Sequence, residues 1–300
     1  MPLDTSTTYR LTRLRLDGRR WNELRLMQAQ ISTNPATSGS SYLAMGNTIV
    51  ICMVHGPAEG RRSEATGSAR EGAIISVAVN IAGFSGVDRK KKSLAAGAGG
   101  GGGGGGGDRQ ASTDLAIALR DAFQPHLHTH LYPHSTISLN ISVLSSDGSL
   151  FAACINACTL ALVDAGIPMP GLLCACTVGM SGRASTPATP EMKRVGGINE
   201  SLDPLLDMSM PEEQELPFMT VANSNPAPPG HDPMDDEEDN QMLSVVQMES
   251  GVHISYLETM FAVGFDGCKQ VREILNGVLK AAGRKVLEGE GEGLADGIER

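Results

Sequence analysis

The stretch TISLNISVLSSDGSLFAACINACTLALVDAGIPM, residues 136–169, reads as a strand, a tight turn and a helix. Such a unit suits anion binding, because unpaired N–H groups and the helix dipole meet at the helix start. Ser149 adds a hydroxyl there. The turn carries no cation, so the unit has the shape of a phosphate cradle without its charge. Other residues invite chemistry too. HLHTHLYPH places His126, His128 and His130 on one face if extended, the sharp reading being a metal site. No acidic or Cys partner is near in sequence, which favours a structural role. Cys154 and Cys158 share a helix face, and Cys174 and Cys176 share a strand face. Neither pair forms a chelating C-x-x-C loop, so buried free thiols in a reducing compartment are the better reading. Nothing in the sequence calls for a metal or a cofactor.

Those residues must be held by regular elements. Residues 136–143 alternate without a fault: Ile137, Leu139, Ile141 and Val143 on one face, Thr136, Ser138, Asn140 and Ser142 on the other. That is a strand with one buried face. NTIVICMV, GAIISVAVNIAGF, GLLCACTVGM, ELPFMTVAN and MLSVVQM are further strands. STDLAIALRDAF is a helix running to Pro125, and LFAACINACTLALVDAG one that ends at Gly166, with Pro168 beyond as a stop signal. A last helix lines up Leu257, Phe261, Gly264, Cys268, Val271, Leu275, Val278 and Ala282 in one apolar stripe. Ser255 and Glu258 fit its N-cap and N3 positions. Strand pairs alternating with single helices predict an α/β or α+β layer fold.

The chain has 300 residues and is 41% hydrophobic but only 4% aromatic, so aliphatic packing must fill the core. No apolar run is long enough to span a bilayer, and the N-terminus has no apolar core of a secretory signal, so an intracellular protein without membrane partners is expected. The net charge of −10 is unevenly spread. Residues 200–300 hold 21 acids and 6 bases, whereas residues 1–199 hold 13 acids and 18 bases. Within a Debye length only local charge counts, so the basic part keeps an RNA partner open. The basic stretches are Arg10 to Arg25 with six arginines, Arg61–Arg62, and DRKKK at 88–92. Their bland reading is a solvated surface; the sharp one is an RNA lining with phosphate contacts and no base readout. Two stretches look like insertions: a Gly-rich loop at 95–110 and an acidic, Pro-rich loop at 223–241. Residues 288–300 are expected to be a flexible tail.

Four segments together resemble the ribonuclease PH family: LRLDGRRWNELR, GSSYLAMGNTIVICMVHGP, the strand–turn–helix above, and LDPLLDMSMPEEQE. The likeness spans residues 10–287 as one domain. It implies an α+β ribonuclease PH-like fold of two β-α-β-α halves, with two sheets sandwiching helices. The form RLDGRRWNELR with LLD…EE looks most like the branch of the family that builds the ring of the eukaryotic RNA exosome. That implies other ribonuclease PH-like ring subunits, RNA-binding cap subunits, an associated hydrolytic exonuclease and single-stranded RNA as partners. It implies a place in the nucleus, including the nucleolus, and in the cytoplasm.

The resemblance also locates a site and its losses. In active relatives the turn reads G-T-R or G-S-R, and its Arg neutralises phosphate. Here Ser149, Leu150 and Phe151 occupy those places, so the hydroxyl survives and the Arg has become Phe151. Active members carry an Asp, an acidic pair five and six residues on, and a second Asp about twelve on. Asp207 matches the first, Glu212 and Glu213 the pair, and Met219 falls where the second Asp belongs. An Arg pair that relatives use on RNA aligns with Gln110 and Ala111, with Arg109 one place earlier. The implied function is a noncatalytic ring subunit that threads RNA past Arg61, Arg62 and Arg109 for 3′-to-5′ processing and degradation by another nuclease. The alternatives are an active phosphate-dependent 3′-to-5′ exoribonuclease and a scaffold that binds only proteins. The DGRR segment suits a turn at Asp17–Gly18, and its arginines are expected to pair with carboxylates of a neighbouring subunit.

Overall fold

The computed structural model describes residues 14–59, 72–86, 106–181, 203–224, 242–248 and 250–298, with backbone alone at 106–109, 242 and 289–298. One sheet has five strands, β1 (Met27–Ile31), β2 (Gly39–Met45), β3 (Thr48–Glu59), β4 (Ile74–Ile81) and β5 (Ser135–Ser145), in the order β1-β2-β3-β5-β4. The other has four, β6 (Leu173–Met180), β7 (Pro204–Leu206), β8 (Phe218–Ser224) and β9 (Met242–Met248), in the order β7-β6-β8-β9. The helices are α1 (Gly106–Phe123), α2 (Leu150–Asp164), α3 (Met210–Glu215) and α4 (Ile254–Ile298). Each half therefore runs from strands through a helix to one or more strands and a closing helix, the expected α+β order.

The alternation in β5 does what it predicts. Ile137, Leu139, Ile141 and Val143 are wholly buried, and their polar neighbours face outward. β4 pairs with β5 in parallel, a geometry that needs a crossover, and α1 supplies it. That helix starts at Gly106, inside the loop expected at 95–110; once Leu115, Leu119 and Phe123 dock on the core, helix propagates back at one hydrogen bond per residue fixed.

α2 is apolar all round, the mark of a helix with no wet face. Every residue from Phe151 to Leu162 is buried, because the helix lies between the two sheets. It approaches the first sheet so closely that a Cβ on Gly39 would sit 2.4 Å from the Ala161 carbonyl oxygen. Toward the second sheet it carries Asn156 and Thr159. β7 pairs with β6 only at Val178–Met180, and among the described residues no strand pairs with the rest of that edge. Asn156 takes the strand's place. Its Nδ2 donates to the Ala175 carbonyl (2.9 Å), and its Oδ1 accepts from the Ala175 N–H (2.8 Å). Thr159 Oγ1 donates to the Leu173 carbonyl (2.7 Å). Buried main-chain groups need such partners.

The apolar stripe of α4 packs across the second sheet. Gly267 is required there, since a Cβ would meet Leu206 Cδ1 at 2.5 Å. The helix begins one residue before Ser255, so Ser255 is not its cap. His253 does that work: its Nδ1 accepts from the Ser255 N–H at 3.3 Å. At the other end α4 continues to Ile298, so the backbone of 288–298 is helical where a flexible tail is expected from sequence; the packed part supplies the nucleus that an isolated tail lacks. β8 likewise extends to Ser224, two residues into the expected acidic loop, because its last residues still pair with β6. All six cysteines are buried free thiols, and burial pushes Cys174 up to about 11 and Cys268 up to about 12. His126 is buried, and burial lowers its basicity; its Nε2 lies 2.7 Å from the Gly171 carbonyl.

Candidate functional site: the start of α2 and its carboxylates

The turn after β5 is Asp147-Gly148-Ser149, and its backbone needs left-handed residues. Gly148 has φ +78°, and a Cβ there would lie 2.6 Å from the Met208 carbonyl oxygen. Ser149, the N-cap of α2, has φ +52°. Its hydroxyl donates to the Met208 carbonyl (3.0 Å) and so is already engaged. Its N–H donates to Glu213 Oε1 at 2.6 Å. The partial positive charge of the helix start thus meets a carboxylate of the same chain. Phe151, where the resemblance places a neutralising Arg, is buried in the main core.

The carboxylates arrive from the β7–α3 segment. Asp207 is fully buried at φ +52°. Arg25 grips it in a fork: Nε donates to Oδ2 (3.1 Å) and Nη2 to Oδ1 (2.8 Å), while the Arg25 N–H also donates to Oδ2 (2.9 Å). The same guanidinium donates to the carbonyls of Asp147 (2.6 Å) and Gly148 (3.3 Å). Arg25 therefore ties the turn before α2 to Asp207. Ser209 begins α3, and Glu212 Oε2 accepts from the Ser209 N–H (2.9 Å) in a capping box. Arg15 closes on the far side. Its Nε donates to Glu212 Oε1 (2.8 Å), its Nη2 pairs with Glu212 Oε2 and donates to the Asp207 carbonyl (2.8 Å), and its Nη1 donates to the Leu206 carbonyl. Arg19 donates to the Asp207 carbonyl (3.1 Å) and to Asp17 Oδ2 (2.9 Å).

Burial alone would push both acids up. At Asp207 it is outweighed by the hydrogen bonds and charge of Arg25, which hold the carboxyl below its ordinary value. At Glu212 the same contest is won by Arg15. Burial lowers the basicity of Arg25, but Asp207 more than offsets that and raises it. These are interlocked ion pairs. Among the described residues no group of three or more His, Cys, Asp or Glu side chains converges as a metal site.

The structure brings together Ser149, Glu213, Asp207 and Glu212, with Phe151 two residues on in α2. Met219 stands apart on β8, buried against Cys176, Val178, Met260 and Cys268. Arg61, Arg62 and the 88–92 stretch lie outside the described residues; Arg109 lies on the backbone of α1. Arg19 of DGRR pairs within its own chain, with Asp17 and beside Asp207, because the segment folds back onto β7. Sequence reasoning missed Arg15 and Arg25. The available signal was a run of arginines matched by an acidic segment, since buried charges require partners.

The sequence profile of the 3′ exoribonuclease family, domain 1 (RNase PH), matches residues 23–168. Over 274 residues the chain is 32% identical to the exosome complex component ski6 of Schizosaccharomyces pombe, covering 91% of this chain and 94% of that one. The chain belongs to the RNase PH family. It is also 32% identical over 267 residues to the exosome complex component RRP41 homolog of Arabidopsis thaliana, covering 89% of this chain and 92% of that one. The crystal structure of rice (Oryza sativa) Rrp46 shares the RNase PH fold, with a TM-score of 0.62 over 87% of this chain and 98% of that chain at 22% identity. Among the described residues no helix is long and apolar enough to cross a membrane.

Proposed function

We propose that this RNase PH chain is a noncatalytic ring subunit of an RNA exosome, which threads single-stranded RNA to an associated hydrolytic exonuclease. Its work is then 3′-to-5′ processing of rRNA and turnover of mRNA and noncoding RNA, in the nucleus and the cytoplasm. The observation that carries the loss of catalysis is the 2.6 Å hydrogen bond from the Ser149 N–H to Glu213. Phosphorolysis needs inorganic phosphate held by donors and cations. Here the first donor of α2 serves a carboxylate, the hydroxyl serves Met208, and Arg15 and Arg25 are engaged with Glu212 and Asp207. An arriving phosphate would meet the like charge of Glu213, with Arg15 and Arg25 already committed to carboxylates.

Ring membership is supported by the relatives, two of which are named exosome complex components and are matched over nearly their full length. Other RNase PH-like ring subunits, RNA-binding cap subunits and the hydrolytic nuclease are the partners this reading requires. Terminal strands such as β4 and β9 fit it, because sheet edges are ready templates for association. Reconstitution tests the reading. Mixed with related ring subunits and cap subunits, the chain should enter a closed ring that binds single-stranded RNA and shields it from added ribonuclease. A chain that stays monomeric beside those subunits would refute it.

A further inference from the structure

The chain has one tryptophan, and it is not in the core. Trp21 is 41% exposed, yet its backbone is pinned. The Leu206 N–H donates to the Trp21 carbonyl at 2.8 Å, one residue from Asp207. Arg19 Nη1 donates to the Glu23 carbonyl (3.1 Å), and the Arg20 N–H donates to Glu23 Oε2 (3.0 Å), which closes residues 19–23 into a loop. The Trp21 backbone is therefore held at a fixed place against β7, beside Asp207, with the side chain partly exposed.

Arg20 differs from the arginines around it. Arg15, Arg19 and Arg25 commit their guanidinium groups to internal partners. The Arg20 side chain is exposed, and among the described residues its guanidinium has no hydrogen bond or ion pair. A partly exposed aromatic side chain next in sequence to an uncommitted cation is a combination that can hold single-stranded nucleic acid, the ring stacking a base and the cation meeting a phosphate. Exposed Leu16 and Leu26 flank the loop and suit a protein contact, but a protein partner would have to bring its own carboxylate to Arg20, whereas RNA carries a phosphate beside every base.

We propose that Trp21 and Arg20 form a stacking platform for one unpaired base of single-stranded RNA, with Arg20 on its phosphate. The proposal rests on the RNA-threading reading and adds a place where RNA touches this chain. Recognition by stacking is indifferent to base identity, so the platform grips RNA without selecting sequence.

The single tryptophan is also the probe. The full chain, labelled with fluorotryptophan, is assembled into a ring with unlabelled neighbours and titrated with oligo(A) and oligo(U). A saturable shift of the fluorine resonance is expected with both. Trp21→Ala should weaken RNA affinity of the ring between about fivefold and about 150-fold, the range for losing one stacked base. Trp21→Phe, which keeps an aromatic face, should lose less. Arg20→Ala should make the log–log salt dependence shallower by roughly 0.7 while the resonance shift persists. A wild-type ring that binds RNA without moving the resonance, and binds equally well with Trp21→Ala, overturns the platform and leaves the threading reading standing. A resonance that moves when neighbouring subunits are added but not with RNA assigns Trp21 to a protein contact and overturns it too. A wild-type ring that binds no RNA removes the threading reading and the platform together.

Discussion

Replacing Asp207 by Asn separates a structural carboxylate from a catalytic one. Asparagine keeps the size of the side chain and tolerates the left-handed backbone at φ +52°, so the turn itself is not perturbed. What disappears is the charge. Arg25 then sits buried with one of its two forked hydrogen bonds lost, since an amide offers one acceptor oxygen, and with only the weaker pull of Asp147 and Glu213 left, and Arg19, 4.0 Å from the same carboxylate, loses its share. Breaking one member of a buried pair costs about 3–5 kcal/mol. With a urea dependence on the order of 3 kcal/mol/M, the unfolding midpoint should fall by about 1 M or more at unchanged slope. The assay is urea denaturation followed by far-ultraviolet circular dichroism. Arg25→Met should cost a similar amount, and the double variant should be less destabilised than the two singles summed, since neither charge is then left alone. A stability within about 0.5 kcal/mol of the parent for Asp207→Asn would refute the reasoning. It would mean that the carboxylate is spare to the fold and available for chemistry.

Four further outcomes follow from the same contacts. Arg25 and Arg15 hold Asp207 and Glu212 below their ordinary values, so the stability they confer is complete above the unfolded carboxyl range near pH 4 and is lost as pH falls through the lower folded values. The urea midpoint should therefore drop below about pH 4, and a profile that falls no more steeply for the parent than for Asp207→Asn would contradict this. Asn156→Ala strips the side-chain partner from both the N–H and the carbonyl of Ala175 inside the core and should cost about 2–4 kcal/mol, measured as a midpoint shift. Gly148→Ala forces a Cβ to within 2.6 Å of the Met208 carbonyl at φ +78° and should lower the melting temperature; an unchanged melt would show that the turn can relax. Phe151→Arg places a guanidinium in the core and should lower the melting temperature too, and millimolar phosphate should not recover it while Glu213 accepts from Ser149; recovery by phosphate would show that the anion seat is open.

The parts of the fold governed by local pattern were legible. The fault-free alternation of 136–143 is β5, and the all-round apolar run of 150–164 is the helix between the sheets, because periodicity and burial express the same physics. The turn was legible in the residues themselves, whereas the carboxylates were legible only through family likeness. What held them was not, since Arg15 and Glu212 are 197 residues apart and Arg25 and Asp207 are 182 apart. An arginine-rich terminus reads as a solvated face until a distant acidic segment folds onto it. Asn156 was hidden for a related reason: a lone amide in an apolar helix has meaning only once the short β7 leaves an edge to be closed. The three-residue β7 and six-residue α3 are too short to carry a period at all.

Phosphate consumption tests the central claim most directly. The purified chain, alone and in its reconstituted ring, is given single-stranded RNA, inorganic phosphate and magnesium, and nucleoside diphosphates are followed over time. The account predicts none above a sample lacking phosphate, because Glu213 holds the helix end where phosphate would have to bind. Phosphate-dependent release of nucleoside diphosphates from the RNA 3′ end by the chain alone would contradict it.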